Sequence, residues 1–71
     1  MYYVRGQAYK TIGGARRALM QGNGGEVMKT KKGRTAIGRV VRRRDGYYWQ
    51  TTTPTYASVE YLLRSDGSLY R

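Results

Sequence analysis

The chain has no cysteine, no histidine and no phenylalanine, a single proline, and only four acidic residues among 71. Without cysteine, disulfides and thiolate metal sites are excluded; without histidine, the commonest metal ligand and general base is gone. No stretch approaches the roughly 20 apolar residues of a membrane span, and the start MYYVRGQAYK lacks the apolar run of a signal peptide. These absences point to a soluble, cytoplasmic protein with no metal and no cofactor. Catalysis runs short of parts as well. Asp45 and Asp66 each precede a glycine, where Asp serves a turn, so an acid/base pair would need Glu26 and Glu60 to converge. Ser58, Ser65 and Ser68 could be activated only by a lysine base. The expectation is a protein that is not an enzyme.

What is abundant is positive charge and tyrosine. Fourteen Lys/Arg against four Asp/Glu give a formal charge of +10 and a sequence pI near 10.4. A field of that sign attracts polyanions: nucleic acid, an anionic membrane or an acidic protein face. The membrane reading is the weakest, because no strongly amphipathic basic helix is visible. Disorder is not indicated, since 39% of residues are hydrophobic and eight Tyr and one Trp supply buriable surface. Residues 1–71 read as one small domain of marginal stability with nothing to staple it.

Residues 2–8, rich in aromatic and β-branched side chains, read as a first strand. Thr11 then offers an N-cap oxygen, and Ile12, Ala15, Ala18 and Leu19 share one stripe of a short helix that Gly22-Asn23-Gly24-Gly25 ends. Gly13 and Gly14 each cost about 1 kcal/mol relative to Ala, so the helix depends on packing. Small residues at 13, 14, 15 and 18 would let its backbone approach a sheet. A glycine-lined anion site is the other reading, unsupported by a Walker or dinucleotide pattern. Arg16 and Arg17 fall on the helix face away from Ile12, Ala15 and Leu19, a solvated exterior that could extend a binding surface around the sheet edge.

A second strand is expected at 26–29, a turn at Lys31-Lys32-Gly33, and a hairpin of 35–43 with 47–53, because Asp45-Gly46 suits a two-residue type I′ loop. With that loop Arg44 faces Tyr47, Arg43 faces Tyr48 and Arg42 faces Trp49; a three-residue bulged loop would shift these pairs by one. Pro54 breaks the strand. Residues 57–64 fit a strand, with Val59, Tyr61 and Leu63 on one face, or a helix capped by Ser58; a second Asp-Gly turn at 65–68, returning through Leu69 and Tyr70, favours the strand. The fold class is α+β: a single antiparallel sheet of four to five strands with one short helix packed on one face, in the order β-α-β-β-β-β. The expected core is Val4, Ile12, Ala15, Ala18, Leu19, Val27, one of Ile37 and Val40, Val41, Val59, Tyr61 or Leu62, and Leu63.

The functional signal sits at 29–45, KTKKGRTAIGRVVRRRD, which holds eight of the fourteen basic residues. Lys29, Lys31, Lys32, Arg34, Arg39, Arg42, Arg43 and Arg44 would contact phosphate, as a two-stranded ribbon can enter a duplex groove. Tyr47 or Trp49 would stack on unpaired bases, with Tyr48 on the opposite face. Arg16 and Arg17 complete the candidate set. The bland reading is a solvated basic face, with Arg42 over Trp49 as an internal cation-π pair. Exposed sheet edges are also compatible with a homodimer.

The segments Ala15-Arg16-Arg17-Ala18, Gly25-Glu26-Val27-Met28-Lys29 and Asp66-Gly67-Ser68-Leu69-Tyr70 resemble small phage-encoded anti-CRISPR proteins, of the type I-F inhibitor kind, over about half of the chain. The extra glycines and the denser basic run at 29–44 depart from that pattern. The resemblance implies a protein made in a host cell's cytoplasm that binds a CRISPR effector complex and blocks its target DNA. The residues themselves favour a non-catalytic nucleic-acid-binding protein first and a nucleoprotein-binding inhibitor second.

Overall fold

The computed structural model describes residues 1–33, 35–51 and 60–70. In chain order the elements are β1 (Tyr2–Val4), β2 (Gln7–Tyr9), α1 (Ile12–Gln21), β3 (Gly25–Met28), β4 (Ala36–Arg43), β5 (Gly46–Thr51) and β6 (Glu60–Leu62). The strands form one antiparallel sheet in the order β2-β1-β3-β4-β5-β6, and α1 lies on one face over β1 to β4. This is the expected α+β class, with one strand more than expected.

The extra strand comes from the first segment. Residues 2–8 are not one strand but the start of a hairpin whose loop is Arg5-Gly6, with Val4 opposite Gln7. Arg5 and Gly6 both have positive φ, 50° and 82°, as a type I′ turn requires. Arginine is a poor residue for that conformation, so Gly6 is the one turn signal there. Its guanidinium makes a long 3.4 Å bond to the carbonyl of Gly22 at the end of α1.

The helix begins where expected. Thr11 is extended, and its Oγ1 accepts from the backbone N–H of Gly14 at 3.1 Å. At the other end Asn23 adopts φ 68°, and the N–H of Gly24 reaches back to the Leu19 carbonyl at 2.7 Å, a Schellman-type closure. Ala15 and Leu19 are fully buried against the sheet.

Alternation along each strand then sorts the side chains. Val4, Val27, Val40 and Trp49 face α1 and, with Ala15, Leu19 and Leu63, make the core. Of the expected core, Val41 and Leu62 lie on the other face, Ile12, Ala18 and Ile37 are half-buried, Tyr61 is exposed, and Val59 is outside the described residues. Trp49, which the expected core did not include, is inside, so one of the three aromatics at 47–49 does face the core. Its indole lies across Gly38, where an added Cβ would sit 2.0 Å from Cζ2.

The β4–β5 pairing also departs from both expected registers. Arg43 pairs with Gly46, Arg42 with Tyr47, Val41 with Tyr48 and Val40 with Trp49, so the loop is Arg44-Asp45. Neither loop residue has positive φ; Gly46, at φ 144°, carries it instead. A type I′ loop on Asp45-Gly46 would have forced Asp45 into positive φ and set the indole opposite Arg42, out of reach of Gly38. Each aromatic partner moves two residues along β4, and since the side-chain period is two, the faces are kept.

The strand reading of the late segment holds at Glu60–Leu62; residues 57–59 and the Pro54 break lie outside the described residues. The second Asp-Gly turn is present and returns through a Leu63–Leu69 bridge. Gly67 sits against the first turn of α1, where a Cβ would come 2.3 Å from the Gly13 carbonyl. Glycine at 67 therefore lets this turn close on the helix backbone, while Ala15 packs on the sheet. Among the described residues, no helix is long and apolar enough to cross a membrane.

Candidate nucleic-acid interface

With α1 on one face, the other face of the sheet is uncovered. By register it presents Tyr3 from β1, Glu26 and Met28 from β3, Arg39, Val41 and Arg43 from β4, Tyr48 and Gln50 from β5, and Glu60 and Leu62 from β6. Cross-strand contacts confirm the shared face: Arg39 Nη2 donates to Glu26 Oε1 at 3.1 Å, Arg43 pairs with Glu60, and Gln50 Nε2 donates to Glu60 Oε1 at 2.6 Å. The Glu60 carboxyl is held below its usual range, first by the Gln50 amide and then by Arg43. Tyr48 donates its hydroxyl to Asp45 Oδ2 at 2.8 Å, which makes that phenol harder to ionise, and lies 5.8 Å from the Arg43 guanidinium.

The basic residues of 29–44 do not form one ribbon. Lys29, Lys31 and Lys32 project from the β3–β4 loop, closed by a bond from the Gly33 N–H to the Thr30 carbonyl at 3.1 Å. Arg44 is at the β4–β5 turn, at the far end of β4, and Arg34 lies outside the described residues. At about 3.3 Å per residue, the eight-residue strand separates these two cationic ends by about 23 Å. Between them Arg39 and Arg43 are already paired with glutamates. Arg42 points to the helix face, where Nη1 donates to Asn23 Oδ1 at 3.1 Å.

Near the lysine loop the open face forms a cleft of about 560 Å³, floored by Tyr3 and Met28 and bordered by Lys31, Lys32 and Arg39. Tyr3 and Met28 were missed in the sequence, because no local pattern says that strand β1 joins the middle of the sheet beside β3.

Three expected contacts are corrected. Trp49 is 3% exposed, so it cannot stack on a base. Tyr47 is half-buried on the helix face and packs against the core, away from the open face. Arg16 is not on a solvated exterior: it is 9% exposed, with its guanidinium 4.3 Å from the centre of the Trp49 ring. A cation-π pair with Trp49 therefore exists, but it is made by the helix and not by Arg42. Arg17 is exposed as expected.

No protein-family model, curated protein or solved structure matches the chain.

Proposed function

We propose that the protein is a non-catalytic nucleic-acid-binding module that engages phosphate with the lysine loop at one end of β4 and Arg44 at the other. The observation that supports this most is the distribution of charge. All four carboxylates of the chain are engaged internally: Glu26 with Arg39, Glu60 with Arg43 and Gln50, Asp45 with Tyr48, and Asp66 with the backbone and hydroxyl of Ser68. Lys29, Lys31, Lys32 and Arg44 have no side-chain partner among the described residues and are exposed. Their charge faces solvent uncompensated, at a separation of about seven phosphate steps along one duplex strand at ~3.4 Å each. Tyr3 and Met28 line the cleft beside the lysines, and the Tyr3 ring is a surface on which a base can stack.

Binding to duplex DNA, single-stranded DNA and RNA across a salt series tests this. Four phosphate contacts give a log–log salt slope of about −3.6 on duplex DNA. Absence of binding to all three at low salt refutes the proposal. Capture of a stoichiometric protein partner that survives nuclease treatment would favour the effector-complex inhibitor instead.

A further inference from the structure

We propose that the cavity between α1 and the β5–β6 end of the sheet is an oxyanion site for a phosphate ester of mononucleotide size, with Arg16 as its cation. The cavity measures about 490 Å³ and is lined by Arg16, Trp49, Thr51, Tyr61 and Leu69. It lies on the helix side of the sheet and shares no lining residue with the cleft beside the lysine loop, so this inference stands independently of the reading above.

Charge counting is the first support. Arg16 is the one buried charged side chain among the described residues. None of the chain's four carboxylates forms an ion pair with it, each being engaged with another group, and the residues outside the described set, Arg34, 52–59 and Arg71, include no Asp or Glu side chain. A buried cation without a counter-charge is costly unless an anion or hydrogen bonds compensate it.

Hydrogen bonding is the second support. A guanidinium can donate five bonds. Among the described residues Nη1 makes one long contact, 3.4 Å to the Gly67 carbonyl, and Nε has no partner. Burial accordingly makes the charged form of Arg16 less favourable than it is in water. Its π contact with Trp49 orients the planar group but supplies no acceptor.

The third support is the wall opposite. Thr51 and Tyr61, each of which carries a hydroxyl, line the same cavity, and Tyr61, paired with Trp49 across the strands, is 37% exposed. A guanidinium fork with hydroxyl donors suits a tetrahedral phosphate, and an exposed aromatic ring suits the base attached to it. The phosphate could belong to a free nucleotide or to the end of a strand.

Trp49 is the single tryptophan of the chain and a built-in reporter. The probes are inorganic phosphate, AMP, and a short oligothymidylate with either a 5′-phosphate or a 5′-hydroxyl, at ionic strength matched with chloride. A saturable change in Trp49 emission and a rise in Tm with phosphate and with at least one ester are expected. A response to AMP alone identifies a free nucleotide, and a response to the phosphorylated oligonucleotide over its hydroxyl form identifies a strand end. In folded Arg16→Met the Kd for the ester should rise about tenfold or more, while Lys31→Gln/Lys32→Gln, which weakens only an oligonucleotide held by the lysine loop, leaves the Kd for AMP and for inorganic phosphate unchanged. The proposal is overturned if chloride alone reproduces the response, if neither ester binds, if folded Arg16→Met keeps it, or if the lysine-loop variant abolishes the response to inorganic phosphate or AMP.

Discussion

Replacing Gly38 by Ala tests whether the indole of Trp49 sets the register and packing of the central strands. The new Cβ would stand 2.0, 2.4 and 2.6 Å from Cζ2, Cη2 and Cε2 of Trp49. Carbon atoms rest at about 3.5–4.0 Å, so the ring must retreat by about 1.5 Å. It cannot do so alone, because Arg16 lies 4.3 Å from the ring centre. Overpacking of this kind costs about 1–3 kcal/mol, and the double constraint places this site at the upper end, about 3 kcal/mol. The opposing gain from removing a strand glycine is only about 0.5–1 kcal/mol. A net loss of about 2 kcal/mol is a large part of the roughly 4–10 kcal/mol available to a chain of this size. It should lower Tm by about 8–16 °C. Thermal melts followed by circular dichroism and by Trp49 emission measure both the loss and its cause. In a Trp49→Phe background, which lacks the indole's six-membered ring, the same alanine should cost less than about 1 kcal/mol, so the two changes couple in a double-mutant cycle. A Gly38→Ala protein as stable as the parent, or an equal cost in both backgrounds, refutes the packing argument.

Further outcomes follow from the same contacts. Gly13→Ala is the opposite case: its Cβ would meet nothing closer than the Asp66 carbonyl oxygen at 3.9 Å, so a gain of about 0.5–1 kcal/mol in helix stability is expected in urea unfolding. Thr11→Ala removes the oxygen that caps the Gly14 N–H and should cost about 1 kcal/mol by the same measurement. Glu26→Gln releases Arg39 next to the cleft, so affinity for duplex DNA should rise and the salt slope steepen by about 1, whereas Lys31→Gln/Lys32→Gln should flatten it by about 2. Glu60 and Asp66 are both held below their usual ionisation range, by Gln50 and Arg43 and by Ser68 respectively, so they stabilise the fold above the ordinary carboxylate pKa values. That stability should be lost as pH falls from about 4.3 through the depressed folded values, with no step between about pH 5.5 and 8 because histidine is absent. Replacing both by amides should remove the acid-side loss in a pH series of melts.

Several elements could be read locally because their causes are local. The cap at Thr11, the helix over 12–21, the glycine-rich stop and the turns at 31–33, 44–46 and 65–67 each follow from residues close together in sequence. The Arg5-Gly6 turn could not, since Arg5 adopts positive φ against its own preference, in a hairpin whose second strand packs under α1. The candidate site divides the same way. Lys29, Lys31, Lys32 and Arg44 were legible because a run of basic residues beside turns ends up exposed. Arg39 and Arg43 were legible as cations but not as compensated ones, because Glu26 and Glu60 reach them only through strand pairing.

The class of fold and the charge follow from the sequence alone: too few acids to balance the bases, alternating strands around one helix, and neither cysteine nor histidine. Only the tertiary structure decided where that charge is free. Burial of Trp49 over Gly38 set the strand register and withdrew the indole from any surface. Because α1 lies over that same face of the sheet, Arg16 went inside with the tryptophan, leaving a cation that no side-chain acid of the chain neutralises. Nothing near Arg16 in the sequence marks it for burial; the sheet beneath the helix does.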